Sequence, residues 1–139
     1  MAAITITQTD IETVFGANFV AQWSSFSQGT TVTADTARIA QACSIAAATV
    51  NGKLSTGPYG IPLTANDPNN PPVDIVNIMA TYAGWWLFNS RGLNYAVETL
   101  AWMRSLKKDA DRTLLQIAKQ AYYIDCSMNT SRRQTPFVV

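Results

Sequence analysis

Histidine is absent from all 139 residues, so the commonest general base, the commonest zinc nitrogen ligand and every Ser-His or Cys-His nucleophile pair are missing. Few other groups could do chemistry. Asp10 with Glu12, and Asp109 with Asp111, stand two apart, a spacing that sends side chains to different faces of a helix and suits solvated carboxylates better than a working acid-base pair. Gly57 to Gly60 is interrupted by Pro58, lacks the lysine of a phosphate-binding loop and follows a helical pattern rather than a strand, so it does not match the phosphate-cradling arrangement. The two cysteines, Cys43 and Cys126, have no neighbours typical of a metal or redox motif and read as reduced structural thiols. Arg132 and Arg133 form the densest basic spot outside the long downstream helix, available to phosphate, to a partner's carboxylate or to solvent alone. Neither a cofactor nor a metal is expected, and catalysis has no evident address.

Composition turns attention from catalysis to contact. Hydrophobic residues make up 47% of the chain and charged residues 14%, which leaves much of a single-domain surface without its usual coat of Lys and Glu. A covering partner is expected. The net charge of +1 and pI of about 7.7 supply no global field for gripping a duplex through many phosphates. The stretch MAAITITQTD lacks the basic patch and long apolar core of a secretory leader, so synthesis and residence in the cytoplasm are expected. The uncharged run Ile75 to Ser90 is too short to span a bilayer and holds Asn77 and Thr81, as a buried helix would.

The elements that must position any contact are helices. Thr9 and Glu12 have capping-box spacing for a short helix with Ile11, Val14 and Phe15 inside, which Gly16 would end in a left-handed turn. Phe19, Val20 and Trp23 continue the apolar pattern in a second short piece, and Ser24 to Thr31 reads as loop. Thr33 and Asp35 cap an alanine-rich helix over about Ala34 to Leu54, with Ile39, Cys43, Ala46, Val50 and Leu54 on one face and Gln41, Ser44 and Asn51 on a narrower polar side. Ser55 to Pro72 holds five of the six prolines and reads as a long surface loop, in which Tyr59, Ile61 and Leu63 fold back on the core. Pro72 opens a helix to about Ser90 that is apolar around most of its circumference and should be the central element. Trp85 and Trp86 cannot face the same way on it. Gly92 ends that helix and Asn94 caps the longest one, whose stripe runs from Ala96 to Ala121 with room for a break at Lys107 to Ala110. Arg104, Lys107, Lys108, Asp109, Asp111 and Arg112 lie outside the stripe with mixed signs three and four apart, a solvated and locally paired face. The expected fold is all-α, a bundle of four to five helices over residues 1–121.

Beyond Tyr122 the period changes. Ile124, Cys126 and Met128 alternate with Asp125, Ser127 and Asn129 as a strand would, followed by Arg132, Arg133, Pro136, Phe137, Val138 and Val139. A strand with no sheet to join either frays or takes its hydrogen bonds from a partner. Residues 122–139 therefore read as an extended C-terminal arm, and the apolar Phe137, Val138 and Val139 favour the partner.

The small-residue helix, its Val50, Asn51, Leu54 ending, the Gly57, Pro58, Tyr59 turn, the second apolar helix and the long charged helix after it resemble the head-completion adaptors of tailed bacteriophages over about residues 8–121. The resemblance implies a virion structural protein rather than an enzyme. It implies a dodecameric ring at the neck, beneath the portal protein, joining the DNA-filled head to a tail-side protein and letting the packaged genome pass through its lumen. The arm would reach the portal or a neighbouring subunit. No family motif covers that arm, so Tyr122, Tyr123, Arg132, Arg133, Phe137 and Val138 are anchoring candidates on physical grounds alone, with Tyr59, Ile61 and Trp85 as candidates for a subunit interface or lumen loop. The rivals are a small helical DNA-binding or regulatory module, whose recognition helix would need clustered cations, and another neck component such as a tail terminator.

Overall fold

A computed structural model describes residues 3–24, 34–91, 97–119 and 124–128. The expected loop after Ser24, the Gly92 and Asn94 helix boundary, and the arm beyond residue 128 lie outside the described residues. Five helices occur among them: α1 (Gln8–Phe15), α2 (Ala17–Ser24), α3 (Thr36–Lys53), α4 (Val73–Arg91) and α5 (Val97–Ala118). The all-α class expected from the sequence is the class observed.

Local chemistry sets the helix ends. α1 starts two residues earlier than expected, because Thr7 rather than Thr9 is its cap. The Thr7 N–H donates to the Asp10 carboxylate at 2.8 Å, whereas Glu12 accepts from the side chain of Gln8. Either acid has the spacing for a capping box, and the one three residues after Thr7 is used. Gly16 has a positive φ of 93°, but its ψ of 146° lies outside the left-handed helical turn expected of it, and its N–H closes the helix on the Glu12 carbonyl at 2.7 Å. Asp35 caps α3 by accepting from the N–H groups of Ala37 and Arg38 at 3.1 and 3.2 Å, satisfying two donors that the first turn leaves without intrahelical partners. The hydroxyl of Ser24, buried at the end of α2, accepts from the Asp35 N–H at 3.0 Å, so the end of α2 and the start of α3 are tied together.

α4 packs against every other helix. Ile75, Met79, Ala80, Ala83 and Leu87 are fully buried on it, as expected of a helix apolar around most of its surface. Pro72 precedes it as the cap whose carbonyl accepts from the Val76 N–H, one place outside the expected first helical position. α3 presents Ile39, Ala42, Ala46 and Val50 to the core, and the two alanines let its backbone approach α4 closely. α5 is the longest helix and runs unbroken through Lys107 to Ala110, because Met103, Ala110, Leu114 and Ile117 stay buried along one stripe.

Two expectations are corrected. The segment 55–72 is only partly a surface loop: Tyr59, Leu63 and Ala65 belong to the core, and only Ile61 of the three expected inward side chains stays outside, 42% exposed. The Leu63 N–H is held by the side-chain oxygen of Asn51 on α3 at 3.0 Å, which gives that polar residue its structural use. The strand-like segment 124–128 does find partners within the chain. Antiparallel bridges join Tyr59 to Met128, Ala65 to Cys126 and Ala3 to Thr64, so the loop is the middle of a small three-segment layer. An arm expected to begin at residue 122 is thus still part of the body at 124–128, with Ile124 and Cys126 buried.

Candidate functional site

The layer at the loop fixes where the chain leaves the body. The Ser127 N–H donates to the Thr64 carbonyl at 2.8 Å, and the Gly60 N–H donates to the Ser127 carbonyl at 2.9 Å. The Asn66 side-chain amide donates to the Asp125 carboxylate at 2.7 Å. Beneath these bonds the Tyr59 hydroxyl, with its residue 2% exposed, accepts from the Ile124 N–H at 2.9 Å. Tyr59 was a candidate for subunit contact. It serves instead as an internal clasp, because its ring is core and its one polar atom is spent on the backbone of the segment it holds. Replacing it with phenylalanine leaves a buried N–H without its acceptor, a loss of about 1–3 kcal/mol. Exchange of the Ile124 amide should then quicken markedly while the helix amides keep their protection, and unchanged Ile124 exchange would contradict the clasp.

Cys126 lies inside the same layer. Burial, then the neighbouring Asp125 charge, pushes its thiol up to about 11, so it stays protonated and unreactive at neutral pH. Cys43 on α3 is also raised, by partial burial and then by Asp10. Both cysteines are free.

A second feature lies farther along α4. Tyr82, Trp85 and Trp86 border an open cleft of about 420 Å³ between α3, α4 and α5, completed by Ile45, Thr49 and Lys53 from α3 and Lys107 from α5. The two tryptophans diverge, as their adjacent positions require, yet both line it. Trp85 leans toward α5, with the Lys107 ammonium 5.8 Å from its ring centre and Phe88 stacked at 6.0 Å. Trp86 leans toward α3, with the Arg38 guanidinium 5.4 Å from its ring centre. Such cation-ring contacts fix the long side chains around the rim.

Lys107 also bonds the Asp111 carboxylate at 3.2 Å, and the Tyr82 hydroxyl donates to the other oxygen of that carboxylate. Burial, then this bond, raises the Tyr82 hydroxyl well above its ordinary range. For Asp111, burial pushes upward, but the hydrogen bonds from Tyr82 and Lys107 outweigh it and hold the carboxyl below its usual value. The group is therefore ionised at neutral pH, and it holds Lys107 and Tyr82, two residues of the cleft lining, from outside the cleft. Asp109 pairs with Arg112 at 3.8 Å on the exposed face. The mixed-sign face is thus locally paired as the spacing predicts, although Lys107 also lines the cleft.

Another groove, about 480 Å³ between residues 5–8 and α3, is lined by Thr5, Ile6, Ile39 and Cys43 among others and carries no charged side chain. Phe19 and Trp102 form a partly exposed aromatic patch with their rings 6.0 Å apart. Among the described residues, no three or more His, Cys, Asp or Glu side chains converge as a metal site would, and no helix is long and apolar enough to cross a membrane.

The sequence candidates divide four ways. Trp85 lines the cleft, Ile61 stands exposed on the loop, and Tyr59 is internal. Tyr122, Tyr123, Arg132, Arg133, Phe137 and Val138 lie outside the described residues. The Tyr82, Lys107 and Asp111 cluster escaped sequence reasoning, although the four-residue spacing of Lys107 and Asp111 and the Tyr82, Trp85, Trp86 spacing on one helical face were signals for it. No protein-family model and no curated protein matches this chain.

Proposed function

We propose that this chain is a head-to-tail adaptor of a tailed-bacteriophage virion, a ring-forming neck protein between the portal and the tail with DNA passing through its lumen. The observation that carries the reading is the clasp of residues 124–128 onto the loop at 59–66. It gives any downstream arm a fixed point of departure from a helical body, so that Arg132, Arg133, Phe137 and Val138 start from one place on each subunit. An arm rooted in this way loses less freedom on meeting a portal than one free from residue 122 onward. The low charge content and the cation-rimmed aromatic cleft also support a protein that works by contact.

Deleting Ser131 to Val139 tests the arm. Helix content by circular dichroism should be unchanged, and capture of the chain on immobilised portal should be lost; undiminished capture would count against the arm's role. The DNA-binding rival makes the opposite prediction for duplex DNA, namely retention that falls steeply with salt. The adaptor should wash through at low and high salt alike, since a net charge of +1 with cations interleaved among acids offers no concentrated phosphate-binding face.

A further inference from the structure

We propose that the cleft of Trp85, Trp86, Lys53 and Lys107 receives the shoulder at Asp67 and Val73 of a second copy of this chain, making a head-to-tail contact. The cleft supplies an apolar floor with a cationic rim. Lys53 is exposed at its edge and, among the described residues, makes no salt bridge; it reaches Asp111 only through a longer-range field. The shoulder supplies the complement. Val73 is 70% exposed, the most exposed large apolar side chain among the described residues, and it stands at the first position of α4, where the rigid helix start presents it outward. Asp67 lies six residues earlier, where the turn at Pro68 and Asn69 begins the approach to α4. Its carboxylate is set in place by the Asn69 N–H and the Asn70 side chain, both at 3.0 Å. The Asn70 bond and then the Asn69 bond hold it below the usual carboxylate range, so it stays charged at neutral pH.

The two patches cannot meet within one molecule. Val73 and Trp85 share a single uninterrupted helix, and at the α-helical rise they stand about 18 Å apart along its axis. Complementary patches at different places on one subunit can be satisfied only between copies, and such a heterologous contact closes into a ring when its rotation divides a full turn. A tryptophan pair at the centre, a seated apolar side chain and a charge pair at the rim are the parts of an interface that carry affinity and register. The contact rests on the ring reading above, because only an arrangement repeated around an axis uses both patches of every copy.

The test is sedimentation equilibrium of the full chain from micromolar to millimolar concentration, beside Trp85→Ala, Val73→Ser, Lys53→Glu, Asp67→Lys and the double variant Lys53→Glu with Asp67→Lys. Lys53 and Asp67 are exposed, so their exchange leaves the core untouched, and circular dichroism checks each fold. Wild type should self-associate beyond a dimer. Each single variant should weaken that association by about tenfold or more, and the double variant should recover most of it because the swapped charges again face each other between copies. A wild type that stays monomeric throughout overturns the contact, as does an assembly that none of the variants weakens or a double variant no better than the singles. The outcome separates from that of the adaptor reading: the chain found at the neck of particles while monomeric when free overturns this contact alone, whereas variant-sensitive assembly with no chain at the neck overturns the adaptor role alone.

Discussion

Replacing Gly84 with valine should destabilise the protein by about 3 kcal/mol, at the upper end of what overpacking a filled core costs. Gly84 is buried in the middle of α4, where a Cβ atom would stand 2.6 Å from Cδ2 and 2.8 Å from Cζ of Phe15, closer than real side chains approach. The Phe15 ring cannot simply turn aside. It is 4% exposed and lies edge-on between Trp23, at 5.2 Å and 69°, and Trp102, at 5.8 Å and 77°. Relief therefore requires moving α1 away from α4. Alanine already carries that Cβ atom, so Gly84→Ala should itself lose stability despite a gain of about 1 kcal/mol in helix propensity over glycine, and the two further methyl groups of valine add to the loss. Urea unfolding of the two variants measures the difference, and a valine variant as stable as wild type would show that α1 does not pack as described.

Truncating Trp23 to alanine should have the larger effect, roughly 3–5 kcal/mol, which is a large share of the total stability of an ordinary domain. The indole has no exposed surface and joins three rings: Phe15 edge-on, Phe19 stacked at 5.3 Å and 22°, and Phe88 edge-on at 5.5 Å. Its loss removes the contact by which short α2 is held to α4, and a helix of that length has little stability of its own. The indole N–H is buried without a hydrogen-bond partner among the described residues. Trp23→Phe consequently sacrifices no polar bond and keeps an aromatic ring in the site, so it should cost clearly less than the alanine variant although it leaves a smaller cavity. Thermal melting of both variants decides the matter; equal losses for alanine and phenylalanine would mean that the N–H, not the ring, is what matters.

Much of this architecture was legible residue by residue. α4 announced itself because Ile75, Ile78, Met79, Tyr82, Ala83 and Leu87 leave almost no polar side, and α3 because Asp35 precedes a run of good helix formers with apolar residues every three or four places. The cap of α1 was misplaced because Asp10 and Glu12 both offer a carboxylate at the right distance from a threonine, and only geometry chooses between them. The loop was half read: Tyr59 and Leu63 fold back on the core as expected, whereas Ile61 stays exposed and the buried Ala65 was not singled out. Its prolines, glycines and asparagines argue for surface, yet Tyr59, Leu63 and Ala65 recur at even spacing and face the core, a strand-like signal set among turn residues. Its pairing with 124–128 and with Ala3 joins positions remote in sequence, and no local pattern encodes such a partner. The cleft was half readable: Trp85 stood out by type, while the Tyr82, Lys107 and Asp111 cluster depends on how α4 and α5 are aligned. For the arm, the sequence named its candidates, and the structure describes only the segment on which they are rooted.

In the proposed role this chain works by holding two larger assemblies together. Electron microscopy of intact particles carrying a small tag fused to this chain tests it most directly. The adaptor reading predicts tag density as a collar at the neck, between the portal and the tail, in a dodecameric ring coaxial with the DNA. Purified particles that lack the chain, or carry it anywhere but the neck, would contradict it.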